Sequence, residues 1–390
     1  MEKREETTEE IQRKRRRQIL LSFPLDLTSE ILSKLPAKYV LRFSCVSKLW
    51  SSITTDPYFN KSFQTQSSTR PSLLVCFRRG ATLFVFSIPQ HHQKEPHSSS
   101  RHVDIYHTAF PKNCCFSFTE SVNGLICFRN RKLAKPVIWN PTMRKFSTLP
   151  KPEKTWKDIT VFPGYDPIKG KHKLVCMPRK KTCDEIRVLT LGSAKESWRS
   201  IKTNHKHCPL TSRHGRCING VLYYEASLPE HTDIPIVMSF DVKSEKFSMI
   251  QLPSNLDIIV GAKLIPYKGR LAYVRQINNS IKLWVLEDAE KHEWSFKHFA
   301  VCTYYDWRKY VFSELAAGTT DAGELMFVPR KIRTDSYWYI CYFDTKANSL
   351  KKFEFKEIAD EELRLSNGLG NRGIYPIYTF SNHIESLVSL

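Results

Sequence analysis

A glycine turn that opens into an apolar or aromatic strand recurs six times, and its spacing restricts the fold more than anything else in these 390 residues. The copies are RRGATLFVF at Gly80, VNGLICF at Gly124, KGKHKLVCM at Gly170, INGVLYY at Gly220, YKGRLAYV at Gly269 and DAGELMFV at Gly323, at intervals of 44, 46, 50, 49 and 54 residues. A second marker is a strand, a polar turn, and an aromatic or Leu opening the next strand. It places Phe146, Trp198, Phe247, Trp294 and Leu350 at intervals of 52, 49, 47 and 56 residues. Two independent markers with one period predict repeated β-hairpin units, none able to bury both faces until neighbours stack on it. The aromatic share of 12% suits strands. The expected architecture from residue 71 to 390 is a β-propeller-like domain of about six kelch-sized blades, with a β-sandwich of irregular hairpins as runner-up. A strand around Ile374 to Phe380 could close the ring, after a helical-looking insertion, KEIADEELRLS.

The stretch from Phe23 to about Phe63 has helical texture instead. Phe23, Leu27, Ile31, Leu32 and Leu35 recur at spacings that share one helical face. Pro24 suits a first turn and Pro36 stops the helix. A second set, Val40, Phe43, Val46, Trp50 and Ile53, runs until Asp56-Pro57. Two or three short helices over about 40 residues carry more apolar positions than so small a bundle can bury, so the module either docks on the domain behind it or offers an apolar face to another chain. The fold class is mainly β with a small N-terminal all-α module. Residues 1–21 read as a basic arm, 22–63 as the helical module and 64–70 as a polar link.

The helical module resembles an F-box. The ordered pieces are Phe23-Pro24, Asp26-Leu27, Glu30-Ile31-Leu32, Leu35-Pro36, Leu41-Arg42, Val46-Ser47-Lys48-Leu49-Trp50 and Pro57-Tyr58-Phe59, with Phe23 standing where Leu is usual. The β domain resembles the F-box-associated domain of a large plant family, through NGLICF, VIWNPTMRKFSTLP, GYDPIKGKHKLV, FDVKSEKFSMIQLP and HIESLVSL. These resemblances imply a three-helix F-box that binds a Skp-type adaptor, and through it a cullin, with a capture domain behind it. The chain would then be the non-catalytic substrate-recognition subunit of an SCF-type ubiquitin ligase, placed in the nucleus and/or cytoplasm. Phe23, Pro24, Leu27, Ile31, Leu32, Leu35, Pro36, Val46 and Trp50 are the expected adaptor contacts. The alternative is a propeller enzyme or carbohydrate-binding protein whose N-terminal helices are incidental.

Charge narrows the partner class. Sixty Lys and Arg against 39 Asp and Glu leave +21, densest at Arg13, Lys14, Arg15, Arg16 and Arg17, a candidate nuclear import signal. The surplus favours an acidic protein target, its identity open, over nucleic acid, because most aromatics occupy strand positions. Candidate recognition loops are His91 to Arg101, Lys151 to Trp156, His205 to Arg216 and Arg330 to Tyr337. The third is the most basic, and Lys206, Arg213 and Arg216 are its candidate contacts. No apolar run approaches the length of a membrane span. The eleven scattered cysteines read as reduced thiols. His205, His207, Cys208, His214 and Cys217 crowd possible zinc ligands but lack knuckle spacing, so neither metal nor cofactor is expected. Gly368-Leu369-Gly370-Asn371-Arg372-Gly373 fits a phosphate-loop pattern literally, yet follows a charged helical stretch and leads into a strand, which argues for a turn. Nothing resembling a nucleophile elbow or a zinc-protease helix is present.

Overall fold

The computed structural model describes residues 24–90, 103–116, 119–193, 196–210, 215–229, 235–253, 262–277, 280–300, 318–329, 331, 338–355, 361–366 and 373–390. The chain divides into two compact units, Met1–Thr69 and Arg70–Leu390.

Among its described residues the first unit has four helices where three were expected: α1 (Leu25–Lys34), α2 (Ala37–Ser44), α3 (Lys48–Thr55) and α4 (Pro57–Ser68). Pro24 and Pro36 precede α1 and α2 in extended conformation, and neither supplies a capping side chain. Ser47 caps α3, its hydroxyl accepting from the Leu49 amide at 3.2 Å. Asp56-Pro57 closes α3, as the sequence suggested, but also starts α4. One Asp56 carboxylate oxygen accepts from the amides of Tyr58 at 2.7 Å and Phe59 at 3.0 Å, with Pro57 at the first helical position. Residues 64–68, expected as a polar link, therefore belong to a helix whose Phe59 and Phe63 lie one turn apart with ring centroids at 6.2 Å.

The second unit is antiparallel β. Its first sheet orders Ile377–His383, Ser72–Arg79, Thr82–Pro89 and Asp104–Ala109. The second sets Cys114–Cys115 and Ser121–Val122 against Leu125–Asn130, followed by Lys135–Asn140 and Lys145–Thr148. The third has eight strands, from Ile159–Asp166 through Lys171–Pro178, Cys183–Thr190, Arg199–Pro209, Val221–Ser227 and Pro235–Asp241 to Phe247–Ile250, with Arg216–Ile218 beside Val221–Ser227. Lys263–Tyr267, Arg270–Ile277, Ser280–Asp288 and Glu293–Ala300 form the fourth. Gly318–Thr319, Leu325–Phe327, Trp338–Asp344 and Ser349–Phe355 form the fifth. The repeat predicted six separate blades. Hydrogen bonding instead gives four separate sheets of four or five strands and one fused sheet of eight. The reason is the eleven-residue strand Arg199–Pro209. Its first part pairs with Cys183–Thr190, while Cys208 and Pro209 run on to pair with Ser227 and Ala226.

Closure of the ring is set by both ends of the unit. Ser72–Arg79 pairs antiparallel with Ile377–His383, Leu74 facing Phe380 and Cys76 facing Tyr378, which replaces the sandwich alternative. Each sheet is covered on both faces. In the first strand Leu73, Val75 and Phe77 pack on Met326, Ile340 and Tyr342 of the fifth sheet, while Leu74 and Cys76 pack toward Phe128 and Trp139 of the second. Further clusters join the second sheet to the third, the third to the fourth and the fourth to the fifth. Burial on both faces explains why the strands read as continuous apolar runs rather than alternating ones.

The turns explain the sequence markers. Glycine turns permit positive φ, as at Gly124 (φ +85°), where the tail passes close by. Strand ends carry Asn or Asp whose side chains accept from amides two or three residues on: Asn130, Asp166, Asp288 and Asp344 each accept two such bonds. Asn140 accepts from the Met143 amide and donates to the Ser386 and Val388 carbonyls at 3.0 and 2.9 Å, fastening the C-terminal tail to the second sheet. The helical-looking insertion contains a short helix, α5 (Glu361–Ser366). The phosphate-loop lookalike lies outside the described residues up to Arg372.

Candidate functional site

The helical unit leaves an apolar surface in solvent. Leu27 and Ile31, one turn apart on α1, are 42% and 45% exposed; Val46, just ahead of the α3 cap, is 74% exposed, and Leu25 and Leu49 are about half exposed. Burying a large aliphatic side chain is worth about 1.5 to 3 kcal/mol, so this surface represents a sizeable unrealised gain. Of the expected adaptor contacts, Pro24, Leu27, Ile31 and Val46 are open; Leu35, Pro36 and Trp50 are half-buried. Trp50 stands edge-on to Phe43 at 5.0 Å, so part of it holds α2 and α3 together. Leu32 is the correction within this set: at 3% exposure it is spent inside the structure. Phe23 lies outside the described residues. Leu25, Leu49 and the 86%-exposed Tyr58 also reach solvent, outside the expected set. Their only signal was being apolar while out of phase with the core spacing.

In the β unit, the expected basic loop from His205 to Arg216 begins inside the strand Arg199–Pro209 and ends at the first residue of the strand Arg216–Ile218, with 211–214 outside the described residues. Lys206 is exposed on the first of these strands, while Arg213 lies outside the described residues. Arg216 departs from the surface reading. It is buried, its Nε donates to the Leu264 carbonyl at 2.9 Å, and its Nη1 lies 3.6 Å from Glu120 Oε2. Burial pushes Glu120 up to about 7 despite the opposing pull of Arg216 and a hydrogen bond from the Cys217 amide. An arginine so committed ties strand Arg216–Ile218 to its neighbours and cannot meet a target.

Of the crowded possible zinc ligands, His214 lies outside the described residues and His207 is engaged within the fold. His207 is buried, with Nε2 at 2.8 Å from the Tyr224 hydroxyl, and desolvation lowers its pKa. Among the described residues, no three His, Cys, Asp or Glu side chains converge as metal ligands. Other buried polar groups also join strands: His383 Nδ1 sits 2.8 Å from the Ser121 hydroxyl, His172 Nε2 sits 3.0 Å from the Val122 carbonyl, and Tyr273 donates to Glu225 at 2.8 Å. Burial drives His383 down to about 3 and His172 to about 4, so both stay neutral. It pushes the thiols of Cys114 and Cys217 up to about 11 and 12, where they are poor nucleophiles. Among the described helices, none is long and apolar enough to cross a membrane. Of the other expected recognition loops, 91–101 and all but Lys331 of 330–337 lie outside the described residues. Lys151 to Trp156 is described, and there Glu153 binds Arg187 at 2.6 Å.

Comparison with known proteins agrees with both units. The F-box domain model matches residues 20–62, and the model of the F-box associated beta propeller domain matches residues 72–384. One putative F-box protein of Arabidopsis thaliana is 52% identical over 398 residues, covering all of both chains. Another from the same plant is 48% identical over 407 residues, again covering all of both. The two matches fall in order on the helical unit and on the ring of antiparallel sheets, and the chain belongs to the F-box proteins that carry an F-box associated β-propeller domain.

Proposed function

We propose that the chain is the substrate-recognition subunit of an SCF-type ubiquitin ligase, its helical unit bound to a Skp-type adaptor and its propeller holding a protein destined for ubiquitination. The observation that carries this reading is the exposed apolar set Leu27, Ile31 and Val46 within the residues matched by the F-box model. A partner helix laid over that face would bury roughly 1,000 to 2,000 Å² in all, as stable interfaces do. The receptor itself performs no bond chemistry. It accelerates transfer by holding the target near a charged conjugating enzyme, converting an encounter between separate molecules into one within a complex. Such a complex would work in the nucleus and/or cytoplasm.

The test uses the solvent-facing positions rather than half-buried Leu35, Pro36 and Trp50, whose loss would also disturb the module. Ile31→Asp with Val46→Asp should abolish co-purification of a Skp-type adaptor while leaving the unfolding transition of the propeller in place. Full retention of the adaptor by this variant would remove the basis of the ligase assignment.

A further inference from the structure

A depression of about 590 Å³ on the β unit is lined by Arg78, Asn113, Cys114, Cys115, Arg131 and Lys132. It lies where the turn after Ser72–Arg79 in the first sheet meets the turn after Leu125–Asn130 in the second. Three of its six lining residues are cations and none is an acid. Among the described residues Arg78, Arg131 and Lys132 make no ion pair, whereas Lys173, Arg187, Arg199 and Arg270 each have a carboxylate partner.

The Arg78 guanidinium and the backbone of the turn that carries Arg131 and Lys132 are held in place before any ligand arrives. The Arg78 guanidinium donates from Nε to the Gly80 carbonyl at 2.7 Å and lies over the Phe110 ring at 5.3 Å, which leaves its terminal nitrogens free to point elsewhere. The opposite wall is cross-tied. The Arg131 amide donates to the Asn113 carbonyl at 2.9 Å, and Asn130 Nδ2 donates to the Lys112 carbonyl at 3.1 Å. Asn130 Oδ1 meanwhile accepts from the Lys132 and Leu133 amides, fixing the turn that carries the other two cations. Three like charges gathered without a counter-charge repel one another, and an oxyanion placed among them removes that repulsion.

We propose that this depression is an oxyanion site that receives an acidic segment of the captured protein, through carboxylates or a phosphorylated side chain seated between Arg78, Arg131 and Lys132. The inference rests on the receptor reading for the source of the segment. A protein segment is favoured over nucleic acid because, among the described residues, no aromatic ring lines the depression to stack a base. Phosphate and carboxylate share the chemistry, and the bidentate reach of Arg78 and Arg131 suits either.

The test measures fluorescence anisotropy of the full-length chain with three labelled peptides of one sequence: a Glu-rich form, the same with one phosphoserine, and a Gln form. Both acidic peptides should bind, the Gln peptide should not, and affinity should fall as salt rises. Preference between the acidic forms identifies the anion's source. Arg131→Gln with Lys132→Gln, both at an exposed turn, should weaken binding at least tenfold and flatten the salt dependence. Arg78→Lys keeps the charge but loses the fork, and should cost severalfold. Wild-type binding that is absent at millimolar peptide, unchanged in the double variant, or equal for the Gln peptide overturns the site. Tighter binding of a labelled single-stranded oligonucleotide, lost in the double variant, would overturn the proposed ligand class. Adaptor co-purification, measured on the same double variant, should be unaffected. Lost adaptor binding by the wild type with peptide binding intact would instead sink the receptor reading alone.

Discussion

Gly124→Ala probes how the C-terminal tail closes the ring. Gly124 has φ +85°, where a side chain costs about 1 to 2 kcal/mol through backbone strain alone. A Cβ there would lie 2.5 Å from Ser386 Cβ and 2.9 Å from the Ile384 carbonyl oxygen, both in the tail, so the tail must move. That movement endangers three hydrogen bonds: Asn140 Nδ2 to the carbonyls of Ser386 and Val388, and the Ser386 amide to Thr142 Oγ1 at 3.1 Å. At about 0.5 to 1.5 kcal/mol each, their loss adds about 1.5 to 4.5 kcal/mol. The expected destabilisation is therefore about 2.5 to 6.5 kcal/mol. Gly80→Ala is the control, because its φ is +59° with nothing within 4 Å of the added Cβ, leaving only the strain. Urea unfolding of the full chain, followed by tryptophan fluorescence, reads the β-unit midpoint for both. In an Asn140→Ala background, where the tail is already loosened, Gly124→Ala should cost little more than Gly80→Ala does. If Gly124→Ala matches Gly80→Ala in the wild-type background, the tail is not a closing element and the reasoning fails.

Two further substitutions test single links. Asp56→Ala removes the cap of α4 and should cost the helical unit about 1 kcal/mol, read as a lower thermal midpoint by circular dichroism at 222 nm; an unchanged midpoint would show that Pro57 alone sets the helix start. Glu120→Gln tests the buried pair with Arg216. The folded pKa of Glu120 is raised from 4.5 to about 7, so the folded state holds the proton more tightly, and stability from this group is present below about 4.5 and lost as pH rises toward 7. The loss amounts to roughly 3 kcal/mol, and the Gln variant should lack it. Buried His172 and His383, with depressed pKa values, act oppositely by losing stability as pH falls below the unfolded histidine value of 6.5. The decisive quantity is therefore the difference between variant and wild type in urea titrations from pH 4.5 to 8. A constant difference across that range would contradict the raised carboxyl.

Local conformational needs were legible in the sequence; distant pairings were not. Gly80, Gly124, Gly170, Gly220, Gly269 and Gly323 stood out because hairpin turns with positive φ select for glycine, and all six have it. The helical unit was legible for a similar reason, except for α4. There Asp56-Pro57 looked like a stop because Pro ends a preceding helix, although Asp before Pro equally begins one. Fusion of the third sheet escaped because Arg199–Pro209 hides its period of two: Thr203, His207 and Pro209 face inward, but Lys202, Asn204 and Lys206 between them read as a polar loop. Arg216 escaped for another reason. Its burial depends on Glu120, almost a hundred residues earlier, and no local pattern announces that partner.

The same distinction shows where the basic surplus can act. Asp166, Asp241, Asp288 and Asp344 each hold a turn by accepting backbone amides, and a lysine follows within three residues: Lys169, Lys243, Lys291 and Lys346. Lys291 lies 3.9 Å from the Asp288 carboxylate that built its turn, so that pair presents little net charge. Asn130 performs the same backbone task for the turn carrying Arg131 and Lys132, but it is neutral. That one exchange of Asn for Asp leaves two cations uncompensated, and the adjoining turn of the first sheet adds Arg78 to the same depression. Asn130→Asp keeps the acceptor for the same two amides but loses the Nδ2 donation to the Lys112 carbonyl, so it should weaken acidic-peptide binding through the added charge and also loosen the tie between the two walls. In the anisotropy assay a severalfold loss that shrinks with added salt is expected; the lost Lys112 tie lowers the unfolding midpoint but carries no such salt dependence in binding. Equal affinity at low salt would mean that the neutral Asn is incidental and that the charge of the depression does not decide what it holds.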